Sequence, residues 1–448
     1  MKALQRLYGS GRALMLTYFL FIIAVGSVLL ALPQATPEAG GMRYVDALFT
    51  ATSAACVTGL ITVNTAGLTR FGQTVIMTLI QAGGLGIIAF STIYLVIPVS
   101  RISLRSSSII QEYYIDQVDF NPRRIVRSIL VFTFTVQAIG AALLYGSFSR
   151  SGVDGPLFAA LFHAVSAFCN AGFSTFADSL ERFVFDHDIT LTIMLLIVVG
   201  GVGFVVLQDL VARLRDRRRK LALHTRVVLL ATAGFIVIGT VLFLALERGS
   251  GVFAEMTGVQ AGMAALFQSV TPRTAGFNTV AQSELSPSTM LLTITLMFSG
   301  GAPGSVAGGI KVTTVLIILA AAILGTDENG DLQLGHRRIP ARVVGKAHGL
   351  LVKALLIVVI SSVLLAITEY SLIREGTALA TLLFEVVSAF GTVGLSLGVT
   401  DLLSDAGKVV IICTMFAGRV GLISLAMPRR RARGERLIGY PTGEVLIG

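Results

Sequence analysis

The chain has 448 residues, of which 54% are hydrophobic and only 13% charged, and its mean hydropathy is +0.82. A water-soluble domain of this length needs more charge to cover its surface, so the composition excludes an ordinary soluble protein and points to the membrane. The net charge of +10 invites a nucleic-acid reading, but the placement of the charges along the chain argues against one.

In chain order, the segments Ala13–Leu32, Phe71–Ser100, Ser128–Ser149, Ile189–Gln208, Val227–Leu246 and Leu285–Ile310 carry no Asp, Glu, Lys or Arg. Each is at least as long as the roughly 20 residues that a bilayer-spanning helix needs. Shorter apolar cores at Ala354–Thr368 and Val409–Gly418 complete eight spans. The first span ends in Ala31-Leu-Pro-Gln-Ala35, which mimics a signal-peptidase site, but the spans that follow argue for an integral protein instead of a secreted one.

With the N-terminus placed in the cytoplasm, the inside segments 1–12, 101–127, 209–226, 326–353 and 429–448 hold 25 Lys/Arg against 10 Asp/Glu. The outside segments hold 8 against 15. This is the positive-inside bias, and it predicts that both termini are cytoplasmic. The run Arg213-Leu-Arg-Asp-Arg-Arg-Arg-Lys220 is then a topogenic loop and not a DNA patch. Cys56, Cys169 and Cys413 fall in apolar context and read as reduced packing residues.

Between paired spans lie four similar segments. They are Leu48-Phe-Thr-Ala-Thr-Ser-Ala-Ala-Cys-Val-Thr-Gly-Leu60, Leu161-Phe-His-Ala-Val-Ser-Ala-Phe-Cys-Asn-Ala-Gly-Phe173, Leu266-Phe-Gln-Ser-Val-Thr-Pro-Arg-Thr-Ala-Gly-Phe277 and Leu383-Phe-Glu-Val-Val-Ser-Ala-Phe-Gly-Thr-Val-Gly-Leu395. Each begins Leu-Phe, has Ser or Thr four residues after the Phe, and closes on Gly followed by Leu or Phe. A glycine cluster recurs in the following span of each unit, at Gly83-Gly84-Leu-Gly86, Gly200-Gly201-Val-Gly203, Gly300-Gly301 and Gly418-Arg419-Val-Gly421. The predicted fold is therefore all-α, with four helix–pore-loop–helix repeats in pseudo-fourfold array around one pore. The repeats cover 13–100, 101–222, 223–340 and 341–428, between a cytoplasmic N-terminus at 1–12 and a tail at 429–448.

A backbone that turns back inside a bilayer must be buried in protein or line a water-filled cavity, since lipid cannot satisfy its amides. Four such turns at one depth can aim carbonyls at a dehydrating cation, with glycine supplying the unusual backbone angles. The expected filter is Val57, Thr58 and Gly59; Asn170, Ala171 and Gly172; Thr274, Ala275 and Gly276; and Thr392, Val393 and Gly394, with K+ held at their carbonyls. Thr392-Val393-Gly394 matches the opening of the potassium-channel sequence TVGYG. The plainer alternative is that these glycines only let helices approach closely.

These motifs resemble the membrane subunit of the bacterial Ktr potassium-uptake system, within the Trk/Ktr/HKT superfamily. Phe71-Gly-Gln-Thr-Val-Ile76, Gly300-Gly-Ala-Pro-Gly-Ser-Val-Ala-Gly-Gly-Ile-Lys311 and Tyr440-Pro-Thr-Gly-Glu-Val-Leu-Ile-Gly448 add to the resemblance, which covers essentially the whole chain. It implies potassium uptake across the bacterial inner membrane by a homodimer with one pore per subunit. It also implies regulation by a separate cytosolic ring of ATP- or ADP-binding subunits, and activation by Na+ in several members. No cofactor is expected on this chain itself.

The third repeat carries a candidate gate. The string Ser299-Gly300-Gly301-Ala302-Pro303-Gly304-Ser305-Val306-Ala307-Gly308-Gly309 should break its span into two half-helices. It lacks the Gly-Lys-Ser/Thr of a phosphate-binding loop. The resemblance implies that it obstructs the pore below the filter; a passive kink is the alternative. Arg419, at a glycine-equivalent position, should face the pore and hold carbonyls near Gly300–Gly304. A lone arginine at membrane depth needs such a polar surrounding, or else snorkels to the cytoplasmic surface. Glu385 and His163, at one register in their pore helices with Thr50 and Gln268, are expected to bond neighbouring backbone or loops. Two rivals remain: a symporter with alternating access and inverted repeats, and a membrane-embedded enzyme, for which no nucleophile with a partnered base is visible.

Overall fold

The computed structural model describes residues 11–37, 40–96, 122–249, 253–254, 256–335 and 337–421. Residues 1–10 of the expected N-terminus 1–12, most of the loop 101–127 and the tail 429–448, with its Tyr440–Gly448 string, lie outside the described residues. The fold is helical. Its first repeat is α1 (Gly11–Ala31), α2 (Tyr44–Ala55) and α3 (Arg70–Val96), and its second is α4 (Pro122–Arg150), α5 (Pro156–Phe168), α6 (His187–Gly201) and α7 (Phe204–Arg215). The third is α8 (Leu223–Glu247), α9 (Gly258–Val270), α10 (Pro287–Phe298) and α11 (Val312–Leu324). The fourth is α12 (Ala341–Thr368), the short α13 (Tyr370–Arg374), α14 (Leu379–Gly391) and α15 (Asp405–Phe416).

Apolar residues dominate the long helices because a helix satisfies its own backbone in lipid. Among the described residues, five stretches are long and apolar enough to cross a membrane: Ala13–Ala31, Arg70–Phe90, Arg123–Arg150, Leu223–Glu247 and Ala341–Thr368. Helix starts follow local chemistry. Asp186 caps α6 by accepting from the Ile189 amide at 3.1 Å, and Ser286, followed by Pro287, caps α10. Thr257 and Gln260 form a reciprocal capping box on α9.

Two departures from the expected spans stand out. Ile189–Gln208 is not one helix: α6 stops at Gly201, and α7 leaves at 101° after Val202 and Gly203. Gly203 has φ +88°, a conformation that glycine adopts without strain. The last span does not run regularly through Gly418; after Phe416 it opens into a π-helical turn, Ala417–Gly421. A small antiparallel hairpin, Leu332–Leu334 (β1) with Arg337–Ile339 (β2), interrupts the all-helical pattern between α11 and α12.

The short helices α2, α5, α9 and α14 hold the centre. Each packs on the first span of its own repeat. Each is also touched by the second span of the preceding repeat: α5 by α3, α9 by α6, α14 by α10, and α2 by α15. Four repeats therefore close a cycle, and the last returns to the first. A buried ion pair ties that closure, with Lys408 on α15 donating to Asp46 on α2 at 2.7 Å.

The recurring glycines of the second spans also gain a reason. A Cβ at Gly83, Gly200 or Gly418 would strike the last carbonyls of the neighbouring pore helices, at Ala55, Phe168 and Phe390. These glycines let span and pore helix touch backbone to backbone. In the third repeat the corresponding Gly300 instead abuts Gly308 of its own loop.

Candidate functional site

At the end of each short helix the chain reverses through the segment singled out in the sequence. Val57, Asn170, Thr274 and Thr392 have φ between +50° and +70°, and the glycines two residues later, Gly59, Gly172, Gly276 and Gly394, have φ of +98°, +71°, +74° and +92°. Among the described residues, the only other non-glycine with positive φ is Ser179. A β-branched residue rarely tolerates that conformation, so Val57, Thr274 and Thr392 mark strain held in place by the surroundings.

What holds them is the Ser or Thr recorded four residues after each Phe. The amides of Thr58, Ala171 and Val393 donate to the Ser53, Ser166 and Ser388 carbonyls at 2.8 Å, and Ala275 donates to Thr271 at 2.9 Å. The hydroxyls finish the turn in two ways. Ser53 and Ser388 accept from the Gly59 and Gly394 amides at 3.0 and 3.1 Å. Ser166 and Thr271 donate to the Phe173 and Phe277 carbonyls at 2.8 and 2.7 Å. The sequence shows this residue as a pattern; its role as the brace of each turn needed the geometry.

With the amides drawn back, the carbonyls are left over. None of the carbonyls in the twelve expected filter residues accepts a hydrogen bond among the described residues. Ten of the twelve residues are buried, and Gly172 and Gly394 are partly buried. A Cβ on Gly172 would sit 2.8 Å from the Ala275 oxygen, and the same collision pairs Gly59 with Ala171, Gly276 with Val393 and Gly394 with Thr58. Read in order, those contacts run from the first repeat to the second, third and fourth and back to the first. The four segments therefore meet in one closed ring through Thr58, Gly59, Ala171, Gly172, Ala275, Gly276, Val393 and Gly394, and their carbonyls accept no hydrogen bond among the described residues.

Against the ring at Gly391 and Thr392 lies the Ser299–Gly309 segment, folded into a compact, almost wholly buried loop between α10 and α11. Its neck is pinned by the Gly300 amide on the Ile310 carbonyl (2.8 Å) and the Val312 amide on Gly301 (3.1 Å). One flank meets the second repeat, where the Ala302 amide donates to Gly201 at 2.9 Å and Phe204 donates to Gly304 at 3.1 Å. The other flank meets the fourth repeat, since a Cβ at Gly308 would strike the Thr392 hydroxyl and one at Gly309 would lie 3.3 Å from Gly391. Ser305 closes a turn inside the loop onto the Ala302 carbonyl at 2.6 Å, with Pro303 between them.

Arg419 is 1% exposed and donates through one Nη to the Val306 carbonyl. It reaches the loop, but farther along than the expected Gly300–Gly304 stretch. Its Nε and second Nη have no hydrogen-bond partner among the described residues. A second cation, not singled out in the sequence, joins it: Lys311 donates to the next carbonyl, Ala307. Its place, two residues after the gate string, was the available signal.

Glu385 and His163 are buried and bond as expected. Glu385 accepts from Ser396 at 2.6 Å, Leu397 at 3.0 Å and Thr400 at 2.7 Å. His163 contacts the Ala159 carbonyl at 2.7 Å and the Ser174 hydroxyl at 2.9 Å. Gln268 accepts from Gln282 at 3.1 Å, whereas the Thr50 hydroxyl has no partner among the described residues. In three repeats this register thus braces the strand that leaves the ring.

A multi-pass helical membrane protein with four turned-back segments around a carbonyl-lined centre has the architecture of an ion-conducting pore. Residues 17–435 match the TrkH family model, described as cation transport protein, and the chain belongs to that family. It is 37% identical over 441 residues to the Ktr system potassium uptake protein B of Bacillus subtilis, covering 98% of this chain and 96% of that one. It is 36% identical to the Vibrio alginolyticus protein of the same name, covering 98% and 95%. It is 35% identical to the potassium/sodium uptake protein NtpJ of Enterococcus hirae, covering 96% and 95%. Among solved structures, the potassium transporter TrkH from Vibrio parahaemolyticus shares the fold with a TM-score of 0.70 at 20% identity, over 91% of this chain and 83% of that one.

Proposed function

We propose that this chain takes up potassium through a channel-like pore whose selectivity filter is the ring closed by Gly59, Gly172, Gly276 and Gly394. The observation that carries this reading is the set of ring carbonyls that accept no hydrogen bond among the described residues. At membrane depth such groups need a partner, and a dehydrating cation supplies one. Alkali-metal ions prefer hard oxygen ligands, which the ring provides in four equivalent sets. The names of the relatives at 35–37% identity support potassium as the cargo.

The Ser299–Gly309 loop is the gate in this reading. It fills the path under the ring, and Arg419 and Lys311 grip its adjacent carbonyls while opposing a descending cation by their charge. The chain works as a homodimer with one pore per subunit in the bacterial inner membrane, with both termini cytoplasmic and a nucleotide-binding ring acting on the gate from the cytosol. Sodium acts as an activator. Repeats that all turn back on one side favour this path over alternating access.

The test is potassium uptake by a bacterial strain lacking its own uptake systems, with the chain expressed alone or with a ring subunit, with and without sodium. Growth and uptake at low potassium are expected only when the chain is present, and sodium should increase them. Failure of the expressed protein to carry potassium in any of these conditions overturns the reading.

A further inference from the structure

The break after Gly201 leaves a helix with no place in the four-repeat plan. Helix α6 has 15 residues, about 22 Å of rise, which is short of the roughly 30 Å hydrocarbon core. Helix α7 then departs at 101°, so with α6 upright in the bilayer it would run along the membrane instead of through it. Its root is fixed to the loop: Phe204 donates to the Gly304 carbonyl at 3.1 Å, and Val206 packs in one cluster with Val202, Ala302 and Val312.

The far end of α7 has another character. Leu214 is 78% exposed and Val211 is 39% exposed, yet they sit beside a run of arginines. Arg219 turns inward to the buried Asp209 at 3.8 Å, and Asp209 also accepts from the Ala222 amide at 3.0 Å. Four more cations of the run, Arg215, Arg217, Arg218 and Lys220, are exposed and form no ion pair among the described residues. An apolar side chain set among unpaired cations, on a helix lying along a bilayer, suits the interface, where the leucine enters the acyl region and the arginines reach up to phosphates. A topogenic role during insertion accounts for the charge but not for the exposed leucine or the turn.

We propose that the C-terminal end of α7 and the turn after it bind anionic phospholipid headgroups through Arg215, Arg217, Arg218 and Lys220 beside Leu214, and that this contact seats the Ser299–Gly309 loop through the Phe204–Gly304 hydrogen bond. Lipid bound at the far end holds α7 along the membrane, and its root keeps hold of Gly304. The coupling to flux rests on the transport reading above; the lipid site does not.

The chain contains no tryptophan, so Leu214→Trp installs a single fluorophore at the site. The full-length variant is placed in phosphatidylcholine vesicles containing phosphatidylglycerol, with bromine on the acyl chains of one lipid or the other at equal mole fraction. Brominated phosphatidylglycerol should quench about fivefold more effectively than brominated phosphatidylcholine. High salt should remove the preference, as should Arg215→Gln, Arg217→Gln, Arg218→Gln and Lys220→Gln combined. Replacing the three arginines by lysine should keep it, which controls for misfolding of the neutral variant. Equal quenching by both lipids overturns the headgroup site. Quenching by neither overturns the membrane placement and leaves the run to an aqueous protein partner.

In the same vesicles, potassium flux through the unmodified chain should be about fivefold lower with phosphatidylglycerol than without it, and the neutral variant should lose that difference. Flux that ignores or rises with anionic lipid, while the quenching preference stands, overturns the seating of the loop. No flux in either lipid strikes the transport reading and leaves the quenching result intact.

Discussion

Two layers of this molecule, separated by the length of a short loop, treat the fourfold repeat in opposite ways. In the ring every repeat does the same thing: positive φ, an intervening residue, and a glycine with positive φ set against a carbonyl of the next repeat. In the layer below, the four second spans all differ. Helix α3 passes straight through its glycines, α6 breaks and turns, the third span becomes a loop, and the fourth opens into a π-helical turn carrying Arg419. In the reading proposed above, the ring supplies equivalent ligands, and these demand symmetry because one odd carbonyl spoils the cage. In the same reading the loop is an obstruction, which needs asymmetry because one segment must occupy the axis while the others make room for it.

The sharpest way to break this comparison is in the ring. Alanine at Gly394 would be strained at φ +92° and would collide with the Thr58 carbonyl, and alanine at the other three glycines meets the same kind of obstacle. We expect each substitution to cost at least about tenfold in preference for potassium over sodium, about 1.4 kcal/mol, read by competition in uptake assays. Four similar losses support one ring, whereas a single tolerant glycine removes its repeat from it. The next largest effect is on stability. Asp46→Asn leaves Lys408 buried beside a neutral amide, at a cost of about 3–5 kcal/mol, visible as a lowered Tm in detergent. An unchanged Tm would mean that packing alone closes the ring.

Below the ring, substitutions should act in the other direction. Arg419→Ala frees the Val306 carbonyl and removes a charge from the path, so potassium flux at equal expression should rise severalfold with selectivity retained. Lysine keeps the charge but not the planar fork, and should fall between the two. Should alanine carry potassium no faster than the native residue, Arg419 is an anchor and not a barrier. Glu385→Gln should give the smallest change. It weakens the bonds from Ser396 and Thr400 by about 1–2 kcal/mol in total while keeping an acceptor, so Tm should fall slightly and ion preference hardly at all. A large loss of preference would move Glu385 from support to the ring itself.

What could be read from the chain follows the same division. The ring was legible because repetition amplifies a weak signal: one Gly-Leu or Gly-Phe says little, and four in register say much. The loop at Ser299–Gly309 was legible from five glycines and a proline in one apolar span. The break at Val202–Gly203 was not, since Gly200-Gly201-Val-Gly203 has the same pattern as Gly83-Gly84-Leu-Gly86, which lies within the continuous α3. The difference lies across the interface. The loop of the third repeat offers Gly201 a donor in Ala302 and Phe204 an acceptor in Gly304, and this outside help makes a broken backbone affordable in the second repeat alone. The positive φ of Val57 and Thr392 was hidden for a related reason, since neither side chain favours it and only the pore-helix braces impose it. Lys311 escaped notice because its target, the Ala307 carbonyl, is set by how the loop folds.

The bond between Asp46 and Lys408 spans 362 positions of sequence. A ribosome must therefore make nearly the whole chain before the ring can close. Until α15 arrives, Asp46 lacks Lys408 and the first pore helix lacks its neighbour from the fourth repeat. Filters assembled from four separate subunits complete their circle by collision between finished parts. Here the circle is completed by the last span of a single polypeptide, so a product truncated before α15 would lack the contacts that close it.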